Sequence, residues 1–140
     1  MPLDGDDERD FEDADRGFIA TLDPLVIPAQ GAANSGAAFD TSGYTYLKGE
    51  CPDTVNPSLF RQAQLNWKNG LYEVVPGVYQ VRGFDLSNMT LVEGDSGVIV
   101  IDPLISAEPA AAGLALYREH RGERPVVAVI YTHSHIDHFG

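Results

Sequence analysis

The chain has 140 residues and a formal net charge of −12 at pH 7. This length is sufficient for one compact domain with its own core. The negative charge argues against a nucleic-acid-binding protein, because phosphate binding requires a basic surface. No apolar run reaches the roughly 18 residues of a membrane span, and the start lacks the basic and apolar regions of a signal peptide. The sequence therefore predicts a soluble chain without an export signal, cytoplasmic as it stands.

Acidic residues are concentrated near the N-terminus, where eight fall within residues 4–15. We interpret this stretch as a solvated leader. Residues 9–21 can form a helix with an intermittent apolar stripe, which Asp23-Pro24 would end because the residue before a proline avoids helical geometry. Residues 31–36 (GAANSG) indicate a flexible connector, and residues 44–47 indicate a short extended segment.

Asn56-Pro57 is typical of a helix start, with an N-cap acceptor followed by proline at the first helical position. The predicted helix covers residues 58–69 and stops at Gly70. Its apolar face includes Leu59, Ala63 and Trp67, and we expect Trp67 to pack in the core.

The pattern then changes to four short strands, at residues 71–75, 78–81, 88–93 and 97–101, which predict an antiparallel meander. Asp102 closes the fourth strand. Residues 107–120 predict a helix ending near Gly122, and residues 125–131 a further apolar strand. Strand, helix and strand suggest a crossover that buries the last strand on both faces.

Four metal-capable side chains follow this strand: His133, His135, Asp137 and His138. Residues i and i+2 of an extended segment point to one side, so His133 and His135 can present two imidazoles to one metal. Asp137 and His138 can reach a second metal beside it, and Asp137 is also the candidate catalytic residue. Zinc lowers the pKa of bound water from 15.7 to about 7, which provides hydroxide at neutral pH.

Asp102 is a further candidate, since a carboxylate at a strand end can orient a metal-binding histidine. The alternative is that Asp102 only caps a turn. We interpret His120 as a surface residue at a helix end. Cys51 is the sole cysteine, and nothing beside it indicates a catalytic thiol.

The last nine residues, 132–140 (THSHIDHFG), resemble the HxHxDH signature of the metallo-β-lactamase superfamily. A narrower resemblance, to zinc-dependent alkyl sulfatases that hydrolyse dodecyl sulfate, covers most of the chain. It rests on residues 10–20 (DFEDADRGFIA), 55–65 (VNPSLFRQAQL), 77–94 (GVYQVRGFDLSNMTLVEG), 102–108 (DPLISAE) and 122–125 (GERP). The run at 83–94, together with Asn56-Pro57, selects this family within the superfamily.

The resemblance implies an α+β fold, the N-terminal half of an αββα sandwich preceded by a mostly helical segment. Residues 71–140 would be the first half of the catalytic domain, and residues 1–70 would pack on it. The implied reaction is hydrolysis of a primary alkyl sulfate to an alcohol and sulfate with two zinc ions. His133 and His135 would bind one zinc, and Asp137 and His138 the other. The resemblance also implies that the full-length protein is a homodimer.

The family's remaining ligands, a histidine and two glutamates, lie downstream of the motif, as do its sulfate-binding residues. Each zinc needs about four ligands, so the four present cannot complete two sites. We therefore expect this chain to be a fragment or truncated product that is inactive alone. Many family members are periplasmic or secreted, which leaves the compartment open.

Two alternatives remain at this point. The first is another hydrolase of the same fold, such as a glyoxalase-II-like thioesterase, a lactonase or a lactamase. The second is a non-catalytic remnant that binds metal weakly or only pairs with a partner.

Overall fold

The computed structural model describes residues 8–31 and 36–140. The N-terminal part contains α1 (Arg9–Asp15), β1 (Phe18–Ala20), β2 (Val26–Pro28), β3 (Ala37–Asp40), a 3-10 helix (Ser42–Lys48) and α2 (Pro57–Asn66). The C-terminal part contains β4 (Gly70–Val75), β5 (Val78–Arg82), β6 (Met89–Glu93), β7 (Val98–Ile101), α3 (Ala107–Arg121), β8 (Val126–Ile130) and a short 3-10 helix (Ile136–His138). This mixture of helices and strands confirms the α+β prediction.

The main sheet has six strands in the order β1-β4-β5-β6-β7-β8. Strands β4 to β7 pair antiparallel in chain order, as the meander prediction requires. β7 and β8 pair in parallel through the crossover helix α3. β2 and β3 form a separate antiparallel pair. The predicted meander and the predicted crossover are both confirmed.

The core lies between the sheet and α3. Buried residues of β5, β6 and β7 alternate with less buried ones, and α3 contributes Leu116 and Tyr117 to the same cluster. Gly113 lets α3 approach the sheet closely, because a Cβ at this position would lie 2.8 Å from Met89 Cε and 3.2 Å from Val81 Cγ1. This packing holds α3 against β5 and β6.

The start of α2 follows the predicted capping. The Asn56 side chain accepts hydrogen bonds from the backbone N–H groups of Ser58 (3.0 Å) and Leu59 (3.3 Å), and Pro57 is the first helical residue. The helix ends at Asn66, three residues before the predicted end. Trp67 is only half-buried and lies outside the central core, with the Lys48 ammonium 5.3 Å from its ring centroid. The expectation of core packing for Trp67 is therefore not met.

Two predictions for the N-terminal part are wrong. The predicted helix at 9–21 ends at Asp15, because Gly17 has a φ of 75° and its carbonyl accepts the Glu73 N–H at 2.7 Å. The following residues instead form β1 on the edge of the main sheet. Residues 44–47 belong to a 3-10 helix rather than an extended segment, and the Leu47 carbonyl accepts a hydrogen bond from Gln64 Nε2 at 2.8 Å.

The expectation that the last strand is buried on both faces is also wrong. Every residue of β8 is exposed, and β8 forms the edge of the sheet in the part of the chain that the structure describes. A strand is buried on both faces only when other elements cover them, and α3 leaves β8 uncovered.

Two predictions fall partly outside the described residues: the leader before residue 8 and positions 32–35 of the connector. Within the described part of the leader, α1 has no buried residue, which agrees with a solvated segment. Among the described residues, no helix has the length and apolar character needed to cross a membrane.

Candidate metal centre

The candidate site forms where the two parallel strands β7 and β8 end side by side. Ile101 and Ile130 are paired in the last register position, and the Asp102 N–H donates to the Ile130 carbonyl at 2.9 Å. Asp102 therefore follows β7 at the same edge where His133 follows β8. Parallel pairing of the strands explains how residues 31 positions apart in the chain come to the same edge of the sheet.

The turn that carries Asp102 has an unusual backbone. Asp102 has a φ of 50° and Leu104 a φ of 68°. Aspartate tolerates this left-handed region, whereas leucine seldom adopts it. Leu104 is fully buried, its N–H donates to the Asp102 carbonyl at 2.8 Å, and its carbonyl accepts the Gly140 N–H at 2.8 Å. Burial of Leu104 thus stabilises a turn that also contacts the end of the motif.

The Asp102 carboxylate is buried, with 8% of the residue exposed, and fully engaged. Its Oδ1 accepts the Thr132 N–H at 2.8 Å, and its Oδ2 accepts the Thr132 hydroxyl at 2.6 Å. His138 Nδ1 lies 3.1 Å from the same Oδ2, without the geometry of a directed hydrogen bond. Burial alone would raise the pKa of Asp102, but the Thr132 hydrogen bonds and the nearby His138 lower it overall.

The hydrogen bonds of Thr132 also indicate the tautomer of His133. Thr132 Oγ1 lies 2.9 Å from His133 Nδ1. The hydroxyl has one proton, and the ionised Asp102 at 2.6 Å can only accept it. His133 Nδ1 must then carry the N–H that donates to Thr132, and in the neutral ring Nε2 keeps a free lone pair. This tautomer presents the outer nitrogen of His133 to an incoming ligand.

The three motif histidines converge. The ring centroids of His133 and His135 are 4.5 Å apart, and those of His133 and His138 are 4.2 Å apart. His138 Nε2 lies 3.5 Å from Asp137 Oδ2. Tyr131 and Phe139, which flank the motif, contact edge to face at 4.8 Å between centroids. The structure therefore brings His133, His135 and His138 together after the end of β8.

Imidazole and carboxylate are ligands that zinc prefers in proteins. The donor chemistry of these four side chains therefore fits zinc. Across residues 8–31 and 36–140, however, no three histidine, cysteine, aspartate or glutamate side chains are positioned to hold one ion together. The site therefore has side chains of the kind that bind zinc, but these side chains are not yet arranged to hold one ion together. The roles of His133, His135, Asp137 and His138 as metal ligands, and of Asp102 as their support, stay predictions.

Two residues that the sequence patterns do not single out, Ser87 and Asp85, also border the motif. Ser87 Oγ donates to the backbone carbonyl of Asp137 at 2.5 Å, and Asp85 Oδ1 accepts the Ser87 N–H at 2.7 Å. Burial raises the pKa of Asp85 despite the backbone N–H groups that it accepts, and the charge of Asp137 raises it further. An aspartate two residues before a serine is a local signal for this turn. Nothing in the local sequence indicates that the turn lies next to residue 137. His120, by contrast, is exposed on α3 as predicted.

Comparison with known proteins shows similarity at the level of a superfamily and at the level of a family. Residues 82–140 match the metallo-beta-lactamase superfamily. The chain is also 53% identical to a linear primary-alkylsulfatase and 51% identical to an (R)-specific secondary-alkylsulfatase, both from Pseudomonas sp., over 96% of its length. It spans 20% of the length of each of these relatives.

The fold gives the same result. A stereoselective inverting sec-alkylsulfatase from Pseudomonas sp. superposes with a TM-score of 0.88 and 50% identity, covering 100% of this chain and 21% of that protein. By sequence and by fold, the chain is therefore homologous to the N-terminal part of alkylsulfatases. The resemblance inferred from the sequence motifs is confirmed, as is the fold expected from it.

Proposed function

We propose that this chain carries part of the dinuclear zinc site of an alkylsulfatase, with His133 and His135 on one ion and Asp137 and His138 on the other. The observation that carries the proposal is the convergence of the three imidazoles and Asp137 at the joint end of β7 and β8. The 50–53% identity to alkylsulfatases supports it independently.

The chain's own residues would orient the ligands. Asp102 holds Thr132, and Thr132 fixes His133 in the tautomer that leaves Nε2 free. The 3.1 Å contact from Asp102 to Nδ1 of His138 leaves Nε2 of that ring on the side of Asp137. When bound, the zinc ions would supply a water molecule whose pKa is lowered to about 7. In this proposal, Asp137 is both a metal ligand and the candidate catalytic carboxylate.

Two zinc ions need more ligands than these four side chains provide, since each zinc takes about four. The proposed site is therefore completed by residues from outside this sequence, and these 140 residues alone would not form an active enzyme. In domain terms, residues 71–140 would form the first half of the catalytic domain and residues 1–70 would pack on it. The family resemblance extends the proposal to a homodimer.

The proposed substrate is a sulfate ester of a linear alcohol, which would be hydrolysed to the alcohol and inorganic sulfate. The nearly equal identity to a primary and to a secondary alkylsulfatase does not distinguish the two substrate types. Dodecyl sulfate is a suitable first substrate because it is the simplest long primary ester.

The test is sulfate release by the full polypeptide, meaning the product of the reading frame that contains these 140 residues. We expect His133→Ala to lower sulfate release from dodecyl sulfate by more than about 100-fold, because even residues that only support a ligand cost 10–100-fold. His120→Ala, on the exposed end of α3, is the matched control and should keep full activity.

Undiminished sulfate release by His133→Ala would remove this residue from the ligand set. Thioesters, lactones and β-lactams should not be hydrolysed by the same preparation. Efficient hydrolysis of any of these together with inert dodecyl sulfate would favour another hydrolase of this fold.

A further inference from the structure

The loop between β5 and β6 contacts the metal motif directly. Ser87, only 7% exposed, donates its hydroxyl to the Asp137 carbonyl at 2.5 Å. Its other polar neighbour, Asp85 Oδ1, is at 3.4 Å, so the single hydroxyl proton is directed at Asp137. This hydrogen bond joins residues fifty positions apart in the chain.

Asp85 ties the same loop to the turn after β7. Its Oδ1 accepts the Ser87 N–H at 2.7 Å, and its Oδ2 accepts the Ile105 N–H at 2.8 Å. Fully buried Phe84 and Leu104 lie next to these contacts in the chain and anchor both loops in the core. The carboxylate of Asp85 therefore joins two core-anchored loops, and Ser87 extends this connection to the motif.

The other support at this point is the Asp102–His138 contact and the hydrogen bond from the Gly140 N–H to the Leu104 carbonyl, while the hydrogen bonds within the motif are long. The 3-10 helix Ile136–His138 is closed by hydrogen bonds of 3.2 Å (His138 N–H to the His135 carbonyl) and 3.3 Å (Phe139 N–H to the Ile136 carbonyl), at the long end of the usual range. Strand β8, which precedes it, is exposed along its whole length. An anchor on the Asp137 carbonyl would therefore control where the side chains of Asp137 and His138 point.

We propose that Ser87, held by Asp85, is a positioning residue that fixes the backbone of Asp137 and thereby orients Asp137 and His138 towards the metal site. The inference rests on the proposed function, because it takes these two residues as ligands. It also gives a role to residues 83–88 (GFDLSN), part of the run whose sequence resembles alkyl sulfatases most specifically.

The first test measures the anchor without metal. Hydrogen–deuterium exchange of the metal-free full polypeptide is followed by mass spectrometry in peptides that cover residues 132–140. Loss of one hydrogen bond is worth about 1 kcal/mol, so we expect Ser87→Ala to accelerate exchange in these peptides by about fivefold. Ser87→Thr keeps a hydroxyl and should restore slow exchange. Ser96→Ala, an exposed serine in the β6–β7 turn, is the control and should leave exchange unchanged.

The second test measures zinc affinity of the same four proteins by competition with a chromophoric chelator. Supporting residues typically contribute 10–100-fold to metal affinity, so Ser87→Ala should bind zinc about tenfold more weakly than Ser87→Thr or Ser96→Ala. Asp85→Asn, which weakens the carboxylate that holds Ser87, should shift exchange and affinity in the same direction.

The two tests separate this inference from the proposed function. Unchanged exchange at residues 132–140 in Ser87→Ala would overturn the positioning role whatever the metal does. Accelerated exchange with unchanged zinc affinity would overturn it as well, because the anchor would then not serve the ligands. Failure of the unsubstituted protein to bind zinc would contradict the proposed metal site, while the exchange result would still report on the anchor.

Discussion

At the scale of single residues, the candidate site depends on one buried carboxylate with several partners. Asp102 accepts the N–H and the hydroxyl of Thr132 and contacts His138, so it links the end of β7 to both ends of the motif. Charge-assisted hydrogen bonds to a buried carboxylate are stronger than neutral ones. Thr132 connects Asp102 to His133, because its hydroxyl donates to Asp102 and accepts the N–H of His133 Nδ1.

This arrangement predicts the effect of Thr132→Val, which has nearly the same shape but lacks the hydroxyl. His133 should lose its single tautomer, and zinc affinity should fall about 10–100-fold, as for other residues that support a ligand. The ¹⁵N chemical shifts of the His133 ring in histidine-labelled, metal-free protein report the tautomer directly. Thr132→Ser keeps the hydroxyl and serves as the control. Identical ring shifts in both variants would show that Thr132 does not set the tautomer.

The ligand candidates could be predicted from the sequence, whereas their supporting residues could not. The spacing of His133, His135, Asp137 and His138 after an apolar strand is a local pattern, and Asp102 was identified by its position at a strand end. Ser87 and Asp85 act through contacts with residues 137 and 105, and no local pattern encodes such a contact. Long-range hydrogen bonds are a property of the folded chain.

At the scale of secondary-structure elements, β6 and α3 are joined by an ionic cluster at the end of the sheet away from the candidate site. Glu93 Oε1 accepts hydrogen bonds from the Tyr117 hydroxyl at 3.0 Å and from Arg121 Nε at 3.3 Å. Burial would raise the pKa of Glu93, but the contacts with Arg121, Tyr117 and Arg124 lower it below its usual 4.5. Burial and the adjacent Glu93 raise the pKa of Tyr117 to about 12.

The lowered pKa of Glu93 predicts a pH dependence of folding stability. The folded state favours ionised Glu93, so this contribution is complete above the unfolded pKa near 4.5 and is lost as the pH falls through the lower folded value. Glu93→Gln should lower the free energy of unfolding at pH 6 by about 1–2 kcal/mol, and the deficit should shrink towards pH 3.

Urea unfolding of the wild type and the variant between pH 6 and pH 3 measures this difference. Glu119→Gln, exposed on α3, is the control and should show neither the loss nor the pH dependence. A constant deficit for Glu93→Gln over the whole range would contradict the assignment of the shifted pKa.

Elements with local signals were predicted well, and those that depend on distant partners were not. Strands β4 to β7 are separated by clear turn residues, and α2 begins at a capping asparagine. β1 was predicted as helix because its strand pairing depends on Tyr72 and Leu71, more than fifty residues away. For β8, the apolar sequence predicted burial on both faces, but burial depends on what covers a strand and not on its composition.

At the scale of the whole molecule, the exposed strand β8 is the most consequential surface. It lies at the sheet edge among the described residues, and four of its valine and isoleucine side chains are 36–52% exposed. An exposed apolar edge strand can pair with another chain. The net charge of −12 opposes association at long range, but it does not satisfy the free backbone groups of the edge.

We therefore predict that the 140-residue chain self-associates through β8. Val127→Lys places a charge on this edge and should shift the sedimentation profile towards the monomer at pH 7. The matched control is Leu59→Lys, an exposed leucine on the helix α2, outside both edges of the sheet. Equal effects of the two substitutions would indicate a general influence of charge rather than pairing through the edge.

The order of strands in the sheet has a consequence for synthesis on the ribosome. From β5 to β8, each strand pairs with the one made immediately before it, so every new strand finds its neighbour already translated. N-terminal parts of a chain generally fold first during synthesis. The residues around Asp85 and Asp102 therefore emerge before the histidines that they support. A nascent chain would therefore form the turns that carry Asp85 and Asp102 before it exposes side chains that can capture metal ions non-specifically.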